Sequence, residues 1–152
     1  MRRKFNLPPY SPRLKKENDK IYIFDEIRKK FFLMTPEEEV RQHFIHFLID
    51  EKLFPASLMM VERGLTINGN RFRTDLVVCD KQGAPLLVAE FKAPSVKISQ
   101  DSFDQIARYN MQLRVPYLIV SNGLNHYCCQ IDFSSETYSF LKEIPSFEEL
   151  SN

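Results

Sequence analysis

One stretch, residues 71–94 (RFRTDLVVCDKQGAPLLVAEFKAP), constrains the fold of this chain more than any other. Its segments 72–79 and 85–91 are rich in Val and Leu, as strands are. Between them, residues 80–83 (DKQG) supply the Asp and Gly that chain reversals favour. The pattern predicts an antiparallel hairpin.

Three charged residues interrupt this apolar hairpin: Asp75, Glu90 and Lys92. Alternation along a strand places Glu90 and Lys92 on one face, and the hairpin pairing places Asp75 across from Glu90. Two carboxylates and an ammonium group then converge, as a hard divalent cation and an activated water require. For the hairpin alone, an ion-pair cluster at the strand ends is the commoner explanation.

Composition and charge indicate the domain organisation and the class of partner. A length of 152 residues with 43% hydrophobic and 27% charged residues is typical of one soluble globular domain. Residues 1–30 carry ten Lys and Arg against four Asp and Glu, whereas residues 31–152 carry eleven against sixteen. We interpret residues 1–20, with three prolines, as a basic extended arm, and residues 21–152 as a single domain. The arm suits a polyanion, although a solvated tail explains it equally well.

No apolar stretch is long enough to span a membrane. Three cysteines, Cys79, Cys128 and Cys129, do not make a disulfide framework, which indicates a reduced, cytoplasmic setting.

The segment 35–52 has the signature of a helix. Thr35 can cap it, Pro36 fits its first turn, and the acids that follow complement the helix dipole. On a helical wheel with the apolar stripe turned inward, Glu37 faces the core and Glu38 points away.

The other elements are placed by the same patterns. Residues 25–33 form a charged connector, and residues 58–67 form a strand that turns at 68–70 into the hairpin. Further predicted elements are a helix at 101–113, a buried strand at 115–120 parallel to its neighbour, a hairpin of 126–131 with 137–141, and a short helix at 147–150. The fold class is therefore α/β, or more closely an α+β mixed sheet with helices packed on it.

Five sequence pieces in this order resemble the PD-(D/E)xK restriction-endonuclease-like nucleases. Within them, the chain is most similar to the N-terminal nuclease domain of type I restriction enzyme R subunits. The pieces are Pro36-Glu37-Glu38-x-Val40-Arg41-Gln42, Arg73-Thr74-Asp75-Leu76, Val88-Ala89-Glu90-Phe91-Lys92-Ala93-Pro94, Asp104-Gln105-xxx-Tyr109 and Ser121-Asn122-Gly123. The resemblance implies a restriction-endonuclease-like core of order α-β-β-β-α-β with a C-terminal β extension. Thr74 departs from the Pro of the family motif, and the chain has no GxxxxGK(S/T) loop of an ATP-driven motor.

The resemblance also implies a role for each site residue. Asp75, Glu90 and the backbone carbonyl of Phe91 would bind Mg²⁺ or Mn²⁺. Lys92 would orient the attacking water or neutralise charge on the phosphate. Glu37, on the first helix, would reach the metal site directly or through water. Gln105 and Tyr109 lie four residues apart on one face of the second helix and would hold Lys92 or the DNA backbone.

The function implied is a Mg²⁺-dependent phosphodiester hydrolase acting on DNA, although the sequence does not separate DNA from RNA. The rival hypothesis is a non-catalytic module that binds nucleic acid or a partner in a restriction or repair complex. Arg71 and Arg73 would contact phosphates or balance the carboxylates. Other implied partners are restriction-modification subunits and a second copy of the chain, because cutting both strands takes two sites.

Two histidine groups offer other metal sites. His43 and His46 lie three residues apart on the first helix, but partly exposed packing is the better interpretation. His126 and Cys128 would share a strand face, yet a zinc site there needs ligands from elsewhere.

Overall fold

The computed structural model describes residues 4–62, 64–67 and 69–151, which form eleven strands and three α-helices. In chain order the elements are β1 (Leu14–Glu17), β2 (Lys20–Asp25), β3 (Lys30–Leu33), α1 (Pro36–Asp50), β4 (Met59–Val61), β5 (Gly64–Ile67), β6 (Asn70–Arg73), β7 (Leu76–Cys79), β8 (Pro85–Phe91), α2 (Gln100–Met111), β9 (Tyr117–Ser121), β10 (His126–Asp132), β11 (Thr137–Phe140) and α3 (Phe147–Ser151). None of the helices in this described part is long and apolar enough to cross a membrane.

A six-stranded sheet of order β11-β10-β9-β8-β7-β4 forms the centre. Its only parallel pair within the described ranges is β8 with β9, so the prediction of a buried parallel strand at 115–120 is confirmed. The prediction of a mixed sheet with helices on it is confirmed too. One face of the sheet buries a core with α1, and the other face buries a second core with α2.

The predicted hairpin forms, but its first strand is shorter than expected. β7 and β8 pair antiparallel with Leu76 opposite Ala89, and the turn is fixed by Asp80, whose carboxylate accepts the N–H groups of Gln82 and Ala84. The continuous strand predicted over 72–79 is wrong. β6 leaves the central sheet and pairs with β5 in a separate two-stranded ribbon.

The strand predicted over 58–67 is divided in the same way, into β4 and β5. The chain turns out of the sheet at Glu62, which has a positive φ of 51° and donates its N–H to the Asp75 carbonyl at 3.1 Å. Gly69, with φ of 81°, lies in the ribbon turn predicted at 68–70, while Asn68 lies outside the described residues.

α1 begins as predicted and ends two residues before the predicted end at Lys52. The Thr35 hydroxyl accepts the Glu38 N–H, Pro36 takes the first turn, and the helix ends at Asp50. The helix at 100–111 is capped reciprocally by Ser99 and Ser102.

The prediction of an extended arm over 1–20 is wrong where the structure describes it; residues 1–3 lie outside the described ranges. β1, β2 and β3 form a small antiparallel sheet, and Phe5 and Leu7 are buried in the core beneath α1. The sequence hides β1 because all four of its residues are exposed, so no apolar alternation marks it. The charged connector predicted at 25–33 likewise contains the last residue of β2 and all of β3.

Candidate functional site

The β7–β8 hairpin brings Asp75 and Glu90 together. Asp75 precedes β7, and its Oδ2 accepts the backbone N–H of Phe91 at 2.7 Å. Glu90 is the penultimate residue of β8, and Lys92 directly follows that strand, donating its backbone N–H to the Ser121 carbonyl at 2.9 Å. The main chain on both sides of the pair is thus fixed by hydrogen bonds, and the three charged side chains are half-buried.

The electrostatics of the pair are unusual for two acids. Burial, followed by the charge of Asp75 and a hydrogen bond with it, raises the pKa of Glu90 to about 8. Lys92 and Arg41 act in the opposite direction, which places both cations near this carboxylate. At neutral pH the metal-free pair therefore keeps one proton between two carboxylates.

This donor set fits a hard divalent cation. Carboxylate oxygens are the ligands that Mg²⁺ prefers, and this ion keeps several of its waters. Within the described part of the chain, no group of three or more His, Cys, Asp and Glu side chains is placed to hold a metal. A cation at Asp75 and Glu90 would therefore need water and a backbone carbonyl. Phe91 is the predicted carbonyl donor. Its ring is buried in the core, with its centroid 5.5 Å from that of the Phe44 ring, and this packing holds the Phe91 backbone beside the two acids.

The prediction that Glu37 is the inward acid of α1 is wrong. Glu37 is exposed, whereas Glu38 is buried, accepting hydrogen bonds from Arg28 Nη2 at 2.7 Å and Gln42 Nε2 at 3.1 Å. Arg28, in the turn between β2 and β3, contacts α1 at Glu38, and the face carrying Glu38, Gln42 and Ile45 is buried as well as the apolar stripe. A helical wheel of apolar residues alone cannot reveal that second face.

Sequence reasoning also missed a network of two arginines with three acids. Arg28 Nε lies 2.6 Å from Oδ2 of Asp25, which is fully buried, and Arg41 Nη2 lies 3.2 Å from Glu62 Oε1. Glu62 in turn holds the Asp75 carbonyl through its N–H. Nε of Arg41 lies 3.6 Å from Glu38 Oε2 in an ion pair without a hydrogen bond, and Nη1 is buried with no hydrogen-bond partner among the described residues. The only sequence signal was the spacing of charges three apart on α1.

Gln105 and Tyr109 lie on one exposed side of α2. The Tyr109 ring packs edge-on against Phe72 with centroids 5.4 Å apart, and β6, which carries Phe72, leads to Asp75 three residues later. Across the described chain no hydrogen bond joins either residue to Lys92. The predicted hold of these two residues on Lys92 is therefore not present as a hydrogen bond among the described residues.

Arg71 and Arg73 are exposed on β6. Arg73 Nη2 lies 4.0 Å from Glu62 Oε2, a weak and largely solvated contact. Both guanidinium groups are therefore accessible on the ribbon that precedes Asp75.

The histidines pack within the fold. The rings of His43 and His46 contact Tyr10, whose ring stacks on His46 at 4.0 Å, and burial lowers the pKa of both. His126 donates from Nε2 to the Asn6 carbonyl at 2.7 Å and accepts at Nδ1 from the Ser121 hydroxyl. The contacts of Tyr10 with His43 and His46 support the interpretation that these two histidines pack within the fold.

Cys128 and Cys129 are buried, and burial raises the pKa of each thiol to about 12. Neutral thiols in a core are poor metal ligands, since metals bind the thiolate.

Comparison with protein families matches residues 36–145 to the N terminus of the type I restriction enzyme R protein. Comparison with curated proteins gives no match. Among solved structures, a fragment assigned as an HsdR subunit of a type I restriction enzyme from Vibrio vulnificus YJ016 is similar in fold, with a TM-score of 0.52 and 17% sequence identity. The similarity covers 75% of this chain but only 24% of the other, so this chain spans about a quarter of that relative.

Proposed function

The chain belongs to the family of the type I restriction enzyme R protein N terminus, and from that premise we propose that it is a metal-dependent nuclease of the PD-(D/E)xK type acting on DNA. The observation that carries the proposal is the half-buried pair of Asp75 and Glu90 with Lys92 beside it. Two acids that must share a proton at neutral pH are poised to exchange it for a cation.

Each residue of the site has its own role in the proposed phosphodiester hydrolysis. A divalent cation held by Asp75, Glu90 and the Phe91 carbonyl would supply a nucleophilic water at neutral pH and offset charge on the phosphate. Lys92 orients that water or neutralises the oxyanion, since its ammonium shares a strand face with Glu90.

The surrounding surface positions the substrate. Arg71 and Arg73 contact phosphates on the ribbon side, and Gln105 and Tyr109 contact the backbone from α2. In a larger assembly the domain works beside motor and specificity subunits, and double-strand cutting uses two copies.

A second candidate function is supported by one observation. Oδ2 of Asp75 already accepts the Phe91 N–H, and the raised pKa of Glu90 lets that carboxyl stay neutral beside Asp75, so the pair is tolerated without a metal. A non-catalytic module that positions nucleic acid or a partner would need no more than this.

The deciding experiment is cleavage of supercoiled plasmid with Mg²⁺ or Mn²⁺. We expect nicking by the wild type and a loss on the order of 100-fold or more in Asp75→Asn and in Lys92→Ala. Glu37→Gln is the matched control, because its carboxylate is exposed and should leave cleavage unchanged. Nicking that persists in both site variants would indicate a contaminant and remove the nuclease hypothesis.

A binding readout accompanies the cleavage assay. A cation that binds only the folded state raises the melting temperature. Millimolar Mg²⁺ or Mn²⁺ should therefore stabilise the wild type and leave Asp75→Ala unaffected. Nucleic-acid binding without any cation shift or cleavage would favour the non-catalytic module.

A further inference from the structure

A cavity of about 460 Å³ lies outside the carboxylate site, between the β5–β6 ribbon, the end of α2 and the β10–β11 turn. Its walls include Phe72 from β6, Arg108 from α2, and Arg114, Phe133 and Glu136 from the following segments. We call it the Arg114 pocket. It combines two exposed guanidinium groups with aromatic surface.

The pairing of Arg114 with Phe133 is the central feature of the pocket. The Arg114 guanidinium lies 5.0 Å from the centroid of the Phe133 ring, within cation–π range. Arg114 and Phe133 also line a neighbouring cavity of about 610 Å³, so there is space on both sides of the pair. An aromatic ring with an arginine and open space beside it is what a stacked base requires.

The backbone at Arg114 gives independent support. Its φ is +56°, in the left-handed region, two residues after the C-cap of α2, where glycine is the usual choice. An arginine at this position has a conformational cost, yet its side chain forms no ion pair within the described ranges. Arg108, in contrast, is bonded to Asp104 at 2.9 Å.

The pocket is also close to the candidate active site. β6 lines the pocket at Phe72 and reaches Asp75 three residues later, a span of at most about 10 Å along the chain. Arg71 and Arg73 alternate with Phe72 on β6, so their side chains lie on the other face of the ribbon from the pocket. Glu136 is the acidic residue of the wall, and its carboxylate can accept a hydrogen bond from the amino group of a base.

We propose that the Arg114 pocket binds one unpaired nucleotide of a single-stranded nucleic acid, with the base on Phe133 and the phosphate at Arg114. The ligand class rests on the proposed function, which it deepens: the substrate near the carboxylates is then a strand with at least one unpaired base. A duplex end, a nick or a displaced strand meets this requirement, and a fully paired duplex does not.

The test is fluorescence anisotropy with a labelled single strand of about 12 nucleotides, in EDTA so that binding is measured without cleavage. Arg114→Gly removes the guanidinium and relieves the left-handed backbone, so the variant folds. Its affinity for the single strand should fall about 5-fold or more, as should that of Phe133→Ala. Arg114→Gly should also make the dependence of log Kd on log salt shallower by about one unit.

The control is Lys81→Ala. Lys81 is an exposed cation in the β7–β8 turn, at the end of the hairpin away from Asp75 and Glu90. Its loss should leave the affinity for the single strand unchanged. A duplex of the same sequence serves as the second probe, and Arg114→Gly should weaken its binding less than that of the single strand.

Unchanged single-strand affinity in Arg114→Gly would overturn the inference even if the wild type cleaves DNA. An equal loss for single strand and duplex would overturn it too, because the contact would then be with phosphate alone. Arg114-dependent binding of the single strand by a wild type that cleaves nothing would support the pocket while removing the nuclease proposal. The two hypotheses therefore fail separately.

Discussion

Replacing Glu90 with glutamine should stabilise the metal-free protein. The pKa of Glu90 is about 8 in the folded chain against an ordinary value of 4.5, so the folded state binds a proton more tightly than the unfolded state. The contribution of the Glu90 carboxyl to the free energy of unfolding is therefore most favourable at low pH and falls as pH rises from about 4.5 to about 8. Each unit in that window costs about 1.4 kcal/mol, so at pH 7 the penalty is about 3 kcal/mol.

Glutamine imitates the protonated acid and can still donate to Asp75. In Glu90→Gln the penalty disappears, giving a gain of about 3 kcal/mol at pH 7, about 5 kcal/mol at pH 9 and less than about 1 kcal/mol at pH 5. The measurement is urea unfolding in EDTA at these three pH values. The same variant should lose any stabilisation by Mg²⁺, since a neutral amide is a poor substitute for a carboxylate.

Glu37→Gln is the control for the pH series. Its carboxylate is exposed in the first turn of α1, where removing it costs a few tenths of a kcal/mol, far less than the gain expected of Glu90→Gln at pH 7. A Glu90→Gln variant no more stable than the wild type at pH 7 and pH 9 would refute the reasoning. So would a gain that does not grow with pH.

Two further predictions concern the framework of the site. Arg28→Met should lower the free energy of unfolding by about 3–5 kcal/mol in urea titrations, because it leaves the fully buried Asp25 without its cation and leaves Glu38 with Arg41 alone. The exposed Lys30→Met should change it by less than about 0.5 kcal/mol. Gly123→Ala should destabilise more than Gly83→Ala: both glycines have φ near +88°, but only at Gly123 would the new Cβ meet a side chain, 2.8 Å from the Phe5 ring. Equal melting temperatures for the two alanine variants, or for the two methionine variants, would contradict these accounts.

The parts of the fold that sequence predicted are those with strong local signals. Thr35 and Pro36 fix the start of α1, and the apolar run before Ser121 marks the parallel strand. The Asp75–Glu90 convergence was predictable from the antiparallel pairing of the hairpin, whereas the register shift between Val78 and Cys79 was not.

The errors have a common physical cause in contacts distant along the chain. The break between Arg73 and Leu76 has no local marker; it is held by Asp75 bonding Phe91 and by Glu62 bonding Asp75. Glu38 is buried because Arg28, ten residues earlier, neutralises it. Apolar periodicity cannot report a face that is buried through ion pairs.

Residues 5–7 depend on contacts with a part of the chain that is synthesised much later. Asn6 bonds through its N–H to the Gly123 carbonyl and through its own carbonyl to His126, 120 residues later. At ribosomal rates of 5–20 residues per second, the partners of Asn6 are synthesised roughly 6–24 s after Phe5 and Leu7. Their apolar side chains are exposed to chaperones and to other nascent chains throughout that interval. This segment is therefore synthesised well before the residues it docks on, and aggregation during translation should be most sensitive to substitutions there.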